Sequence, residues 1–384
     1  MADDRIAGNP AAVTVTGNVI SWAEGDWRRG VWEELFEVGD YVANVTDSSS
    51  QQITAIGGEQ SDGSFEITVS DASGWSTDDE CTPQRQSTIY QYNTPTLAKA
   101  GCSAGDSILL WYSDQSRSTD WLNEKMNDIG ADAGPKCNLY GMAMDVTMQD
   151  DSYGMVDCRG DLDGASLEIK GVGIVGTNDA GAPTQLTFSN GTLVVDMCYF
   201  QGGNYCLYVN TTGSLTVRNT VLCNTKSYNL RVDGGANAQF DHCTFARANP
   251  QNINVGNETA TFRNCVAFSG GSDAWVNHGN ATGYNNAADD TSCTNGNWST
   301  GSGNLPSQTR DDLSWHRDNA NGNYYPIFGI TEDSSLYHAG MDASCDYDYF
   351  GKPRHATTPS IGAVEGSNLI DTGGGSGPLV GPFG

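Results

Sequence analysis

Three stretches of the chain, TVRNTVLCN (216–224), AQFDHCTFA (238–246) and ATFRNCVAF (260–268), carry one phrase in three spellings. Their register can be set residue by residue. Leu193-Val195, Leu215-Val217, Ala238-Phe240 and Ala260-Phe262 take the same place at steps of 22, 23 and 22 residues. Each pair is followed by a one-residue corner (Met197, Asn219, His242, Asn264), then by a second inward pair: Cys198-Phe200, Thr220-Leu222, Cys243-Phe245 and Cys265-Ala267. A third short run closes each turn: CLYVN (206–210), NLRVD (229–233), NINVG (252–256) and AWVNH (274–278). Three short strands per turn of about 22 residues, alternating with period two, is the pattern of a parallel β-helix. No single turn can bury its apolar side chains alone, so the phrase must recur, and turns spaced about 4.8 Å apart stack like on like. Cys243 and Cys265 then lie one above the other with Thr220 in the same place one turn earlier. Thr can fill a narrow core but can neither ligate a soft metal nor act as a thiolate, so these Cys read as packing.

The fold class expected is therefore all-β, a right-handed parallel β-helix of about 22 residues per turn preceded by a small antiparallel β domain. Residues 1–95 supply that domain through the alternating runs VTVTGNVISW, FEVGDYVANV, QQITAIGG and SFEITVSDA, and the DDE at 78–80 with the following TPQRQ reads as a loop leaving it. Residues 96–365 are expected to form the β-helix, beginning with AGDSILLWYS (104–113) and a capped helix at 118–130. An Asn-, Ser- and Gly-rich stretch at about 285–330 reads as an irregular excursion, and 366–384 as a Gly/Pro-rich tail.

A formal net charge of -28, from 47 acidic against 19 basic residues, repels phosphate backbones and argues against nucleic-acid binding. The N-terminus has no basic segment leading into an apolar run, and nowhere do 18 apolar residues follow one another, so neither Sec export nor a membrane span is expected. The 11 Cys, an odd number, are expected to be mostly reduced thiols of a protein folded in the cytoplasm. Gly-rich phosphate loops, HExxH, CxxC and Gly-x-Ser-x-Gly are absent, so no cofactor is expected. Asp161 and Asp163, like Asp346 and Asp348, lack EF-hand spacing and promise adventitious calcium at most, and the RGD at 159–161 is a three-residue match without weight.

Candidate chemistry rests on carboxylates and aromatics. The outward position between the stacked pairs reads Asp196, Arg218, Asp241, Arg263, Asn285, a ladder of alternating sign expected on an exposed sheet face, where each charge can pair with its vertical neighbours. If the chain were an enzyme, Asp196, Asp241, Arg218 and Arg263 would be its candidate catalytic residues. Two turns place Asp196 and Asp241 about 9–10 Å apart, within the range of inverting glycosidases. The Arg between them argues against a raised-pKa acid, because a cation lowers a neighbouring carboxylate's pKa. Trp298 and Trp315 are candidates for carbohydrate contact, whereas Trp275, in a closing strand, reads as packing.

The stretch SSLYHAGMDASCDYDYFGKPRHATTPSIGAVE (334–365) resembles a closing motif of many bacterial and bacteriophage β-helix proteins, through Leu336, Ala339, Gly340, Asp348, Gly351, Pro353, Arg354, Ile361, Gly362, Ala363 and Glu365, with His338 where an Asp is common. The body from 96 to 365, with its Gly punctuation and Asn-Cys corners, resembles bacteriophage virion surface proteins. That resemblance implies a capsid decoration, head spike or tailspike-like protein. It further implies a homotrimer whose N-terminal domain attaches to the major capsid or another virion protein, on a particle assembled in the host cytoplasm. The expected role is non-enzymatic: stabilising the particle, contacting the host envelope, or both. A polysaccharide lyase or hydrolase acting on host surface glycans is the first alternative, and a bacterial adhesin or carbohydrate-binding protein the second.

Overall fold

The computed structural model describes residues 3–103, 105–111, 137–143, 147–150, 156–158, 166–176, 184–188, 191–210, 213–233, 237–246, 248, 251–256, 259–268, 275–276, 281–294, 303–308, 313–316, 327–330, 334–341 and 345–365. The helix expected at 118–130 lies outside them. Among the described residues, two short α-helices apart, the structure is almost entirely β, with a parallel solenoid of about 4 turns at about 23 residues per turn and a separate antiparallel sheet.

Three parallel sheets line the solenoid. The first stacks Ser166–Lys170, Thr192–Asp196, Ser214–Arg218, Asn237–Asp241, Ala260–Arg263 and Thr282–Tyr284 in that order. The second runs from Thr147–Asp150 through Tyr199–Gln201, Val221–Cys223, Thr244–Ala246 and Val266–Phe268 to Ala287–Ala288. The third runs from Val156–Cys158 through Tyr205–Asn210, Tyr228–Asp233 and Ile253–Val255 to Trp275–Val276. Leu193 pairs with Leu215, Leu215 with Ala238 and Ala238 with Ala260, the register expected from the repeat. The second inward pairs, Cys198-Phe200 to Cys265-Ala267, are buried in the same core.

The corners explain why Asn recurs. Met197, Asn219, His242, Asn264 and Asn285 all adopt left-handed backbone, with φ of 53, 49, 53, 54 and 50°. Asn tolerates that region better than other non-glycine residues, so three of the five corners carry it. Asn285 is therefore a corner and not a rung of the charge ladder; Tyr284 pairs with Arg263 in its place. The solenoid also continues past 285, because Ala287–Ala288 stacks on Val266–Phe268 and Leu305 bridges Ala287.

The N-terminal residues divide between two structures. Asp4–Ala7 inserts between Ser107–Leu110 and Gln91–Tyr92 as a strand of the first solenoid sheet, so the solenoid starts inside the first 95 residues. The antiparallel sheet has the order Thr14–Thr16, Val19–Trp22, Phe65–Val69, Ser49–Glu59, Tyr41–Asn44, Cys81–Gln84. The last of these corrects the loop expected at TPQRQ: Cys81–Gln84 is fully buried and pairs with Tyr41–Asn44. Pro83 fits there because its missing N–H is no loss in an edge strand.

An aromatic cluster welds this sheet to the solenoid. Trp32 meets Trp22 edge-on at 5.0 Å, Phe65 at 5.4 Å and Trp111 at 6.0 Å. Trp32 donates its indole N–H to the Met142 carbonyl at 2.7 Å and Trp111 donates to Thr82 Oγ1 at 3.0 Å, so neither ring buries an unpaired polar atom.

Candidate functional site

The charge ladder is longer than the sequence repeat suggested, and its carboxylates are buried while Arg218 and Arg263 stay partly exposed. Backbone pairing aligns Lys170, Asp196, Arg218, Asp241 and Arg263 in one column of strict alternation. Lys170 escapes a search at 22-residue steps because its rung precedes the next by 26 residues, Leu167 pairing with Leu193. Asp196 is 3% exposed and Asp241 2%, so the column does not lie on the solvent face expected for it. Asp196 takes Arg218 Nε at 3.0 Å, Lys170 Nζ at 3.3 Å and the Asn219 amide at 3.0 Å. Lys170 is buried and also bonds Glu34 of the short helix Trp32–Leu35. Asp241 is held by Arg263 through both carboxylate oxygens, at 2.6 Å each.

These partners commit the carboxylates. Burial acts against the charge on Arg218, but the Asp196 carboxylate and its neighbours outweigh it, so the guanidinium titrates above its ordinary value. Arg263 is likewise raised, first by its hydrogen bond to Asp241. Both carboxylates are nearly inaccessible to solvent and spend their oxygens on these partners, which leaves little room for a substrate.

The cover over the ladder and its corners is formed by residues 334–341 and 345–365. It does not add a last turn, as the resemblance of its motif implied, but runs along the flank of turns already built. Arg354 donates to Asn219 Oδ1 at 2.9 Å and to the Gly362 and Ala363 carbonyls at 3.1 and 2.9 Å. Leu336, Tyr349, Ile361, Ala363 and Val364 pack on Tyr199, Val221, Cys223, Ala246, Val266 and Phe268, the outer face of the second sheet. Cys345 lies beside the ladder, its thiol pushed up to about 12, chiefly by burial. Asp348 accepts the backbone N–H groups of Phe350, Lys352 and Glu365 at 2.9, 2.8 and 2.8 Å, which makes it the organiser of a turn; burial nevertheless raises its pKa.

Arg28 ties the three parts together. Reaching from the N-terminal sheet, it is 1% exposed and donates to the carbonyls of Gly171 at 3.1 Å, Met197 at 2.7 Å and Tyr349 at 2.9 Å. No periodic signal marks it, because its partners lie 143, 169 and 321 residues away.

The remaining candidates scatter. Trp298, Asp161, Asp163 and the RGD lie outside the described residues; Trp315 belongs to a strand, Leu313–His316, paired antiparallel with Ile327–Ile330. The structure instead gathers aromatic side chains on the third sheet. Tyr205 and Tyr228 stack at 6.1 Å with rings 3° from parallel, Tyr208 stacks on Tyr205 at 5.6 Å, and Arg231 lies 5.6 Å over both Tyr205 and Tyr208. All four side chains are half-buried. Arg231 also binds Asp233 and the Tyr205 hydroxyl, at 2.6 and 2.9 Å. The signal available in the sequence was YCLY against YNLR at one repeat's spacing.

Among the described residues no group of three or more His, Cys, Asp or Glu could hold a metal ion, and no helix is long and apolar enough to cross a membrane. No protein-family profile matches the chain, and no curated protein is significantly similar to it.

Proposed function

We propose that this chain is a non-enzymatic structural protein of a bacteriophage particle, a rigid surface spike or capsid decoration that touches the host envelope. The observation that carries a structural role is the commitment of the ladder: Asp196 and Asp241 are buried and bound by cations, beneath a segment fastened at several corners. A solenoid clamped by Arg28 at the turns of 171 and 197 and strapped along one flank resists bending, which suits a projecting or decorating part. The phage setting rests on the resemblance of the β-helix body and closing motif to virion proteins. In that setting the subunit is a homotrimer, the antiparallel sheet attaches it to the particle, and assembly takes place in the host cytoplasm.

The third sheet is the face we assign to envelope contact. The second sheet's outer face is covered by the segments 334–341 and 345–365, whereas Tyr205, Tyr208, Tyr228 and Arg231 are only half-buried. Such mixed groups suit a polyhydroxylated glycan, and the net charge of -28 favours a neutral one over a polyanion.

The test is the solution mass of the full-length protein by light scattering, followed by glycan binding and cleavage assays. A trimer that binds neutral glycans without shortening them, and loses binding in Tyr205→Ala/Tyr228→Ala, fits the proposal. A monomer that cleaves polysaccharide would overturn it in favour of a lyase or hydrolase.

A further inference from the structure

His242 stands at a corner where its neighbours one turn away are Asn219 and Asn264, and it is fully buried. Its Nδ1 lies 3.1 Å from the Ser360 carbonyl, so that nitrogen carries the proton. Its Nε2 lies 3.0 Å from Asn264 Nδ2. The amide orientation is fixed independently, because Asn264 Oδ1 accepts the Met341 N–H at 2.8 Å while Nδ2 donates to the Met341 carbonyl at 2.6 Å. Nε2 is therefore an acceptor, and the imidazole must be neutral. A second proton would set N–H against N–H inside the interface.

The charged groups around this ring do not welcome that proton. Arg354 of the covering segment and Arg263 of the next turn are the charges that act on it, both disfavouring the imidazolium. Asp241, on the ring's own strand, is already held by Arg263. Burial and these cations hold the ring's pKa well below its ordinary value. Nearby, His338 lies tilted against His355 with ring centroids 4.4 Å apart, and Glu365 is 3.6 Å from His338 but also bound to Arg354 at 3.2 Å and to the Ser360 N–H at 2.7 Å. Of these three histidines only His242 bridges the covering segment and the solenoid; His338 and His355 have their partners within the covering segment.

We propose that residues 334–341 and 345–365 form an acid-released strap, closed over the second sheet at neutral pH by the neutral His242 hub and loosened when that ring takes a proton. Release uncovers Tyr199, Val221, Val266 and Phe268, a sheet face that is buried in the closed state. The sign follows from linkage: a histidine depressed in the closed form and ordinary in the open form stabilises closure above its free pKa of about 6.5 and loses that stabilisation as pH falls. Two pH units below that value shift the balance toward release about hundredfold. Asp348, whose pKa burial raises in the closed strap, acts in the opposite sense. The useful window is therefore from about pH 6.5 to about pH 5.

The test takes the full-length protein through that window, following apolar-dye fluorescence, proteolytic cleavage sites and far-ultraviolet circular dichroism together. Dye binding should rise and cleavage appear within 334–365 while the β signal persists. His242→Asn, which copies the neighbouring corners, should keep the strap closed to about one pH unit lower. Equal midpoints in the two proteins would overturn the proposal, as would a wild type that stays closed at about pH 5 or opens only with loss of the sheet signal. If the variant does not fold, proton uptake measured on the wild type decides: release without net uptake of a proton sinks the idea.

Discussion

Phe240 shows how the stack stores stability in single side chains. It is fully buried, lies over Phe262 at 4.6 Å with rings 12° from parallel, and meets Phe245 edge-on at 6.3 Å. Phe240→Ala opens a void in a close-packed column and is expected to cost about 3–5 kcal/mol, read as a lowered denaturation midpoint. The ion pairs differ by environment in the same way. Asp241→Ala strands a partly buried Arg263 and should cost about 2 kcal/mol, whereas Asp233→Ala, at the more exposed Arg231 pair, should cost under about 1 kcal/mol. Equal effects in urea titrations of the two variants would show that the ladder is not desolvated as described. The column Lys170-Asp196-Arg218-Asp241-Arg263 was legible except for its first member, which the longer step hid. The burial of its carboxylates was not legible, because period-two alternation distinguishes inward from outward but cannot say what later covers the outward side.

At the scale of elements, the solenoid turns, the antiparallel sheet and the strap are held by different physics. Turn-on-turn contacts are backbone ladders repeated at about 23 residues, so each turn supports only its neighbours. The strap holds by side chains and isolated backbone bonds, such as Gly362 N–H to the Asn264 carbonyl at 2.7 Å and Ala363 N–H to Thr244 Oγ1 at 3.0 Å. Arg28 joins all three elements, and Arg28→Ala would leave carbonyls of Gly171, Met197 and Tyr349 without that donor. We expect a loss of about 3 kcal/mol or more, with hydrogen exchange rising first in the strap and in the turns at 171 and 197. Exchange rising uniformly along the chain would mean that Arg28 is not a clasp between elements.

Over the whole molecule, charge sets a further expectation. A net charge of -28 on 384 residues makes the folded surface repel itself, while the ladder's carboxylates are buried against partly exposed arginines. Raising ionic strength from about 0.01 M to about 0.15 M, which shortens the Debye length from about 30 Å to about 8 Å, should therefore raise the melting temperature. A fall on adding salt, seen by scanning calorimetry, would mean that exposed attractions outweigh the repulsion. The sequence by itself determined the solenoid, its register, its Asn corners and its inward pairs, because those contacts join residues one turn apart and must repeat to make a core. Tertiary structure alone decided that Asp4–Ala7 becomes a solenoid strand, that 334–341 and 345–365 lie along the flank, and that the ladder's carboxylates are buried. Those outcomes rest on contacts made once between distant segments, 118 residues apart for His242 and Ser360 and 321 for Arg28 and Tyr349, and a contact made once leaves no period to read.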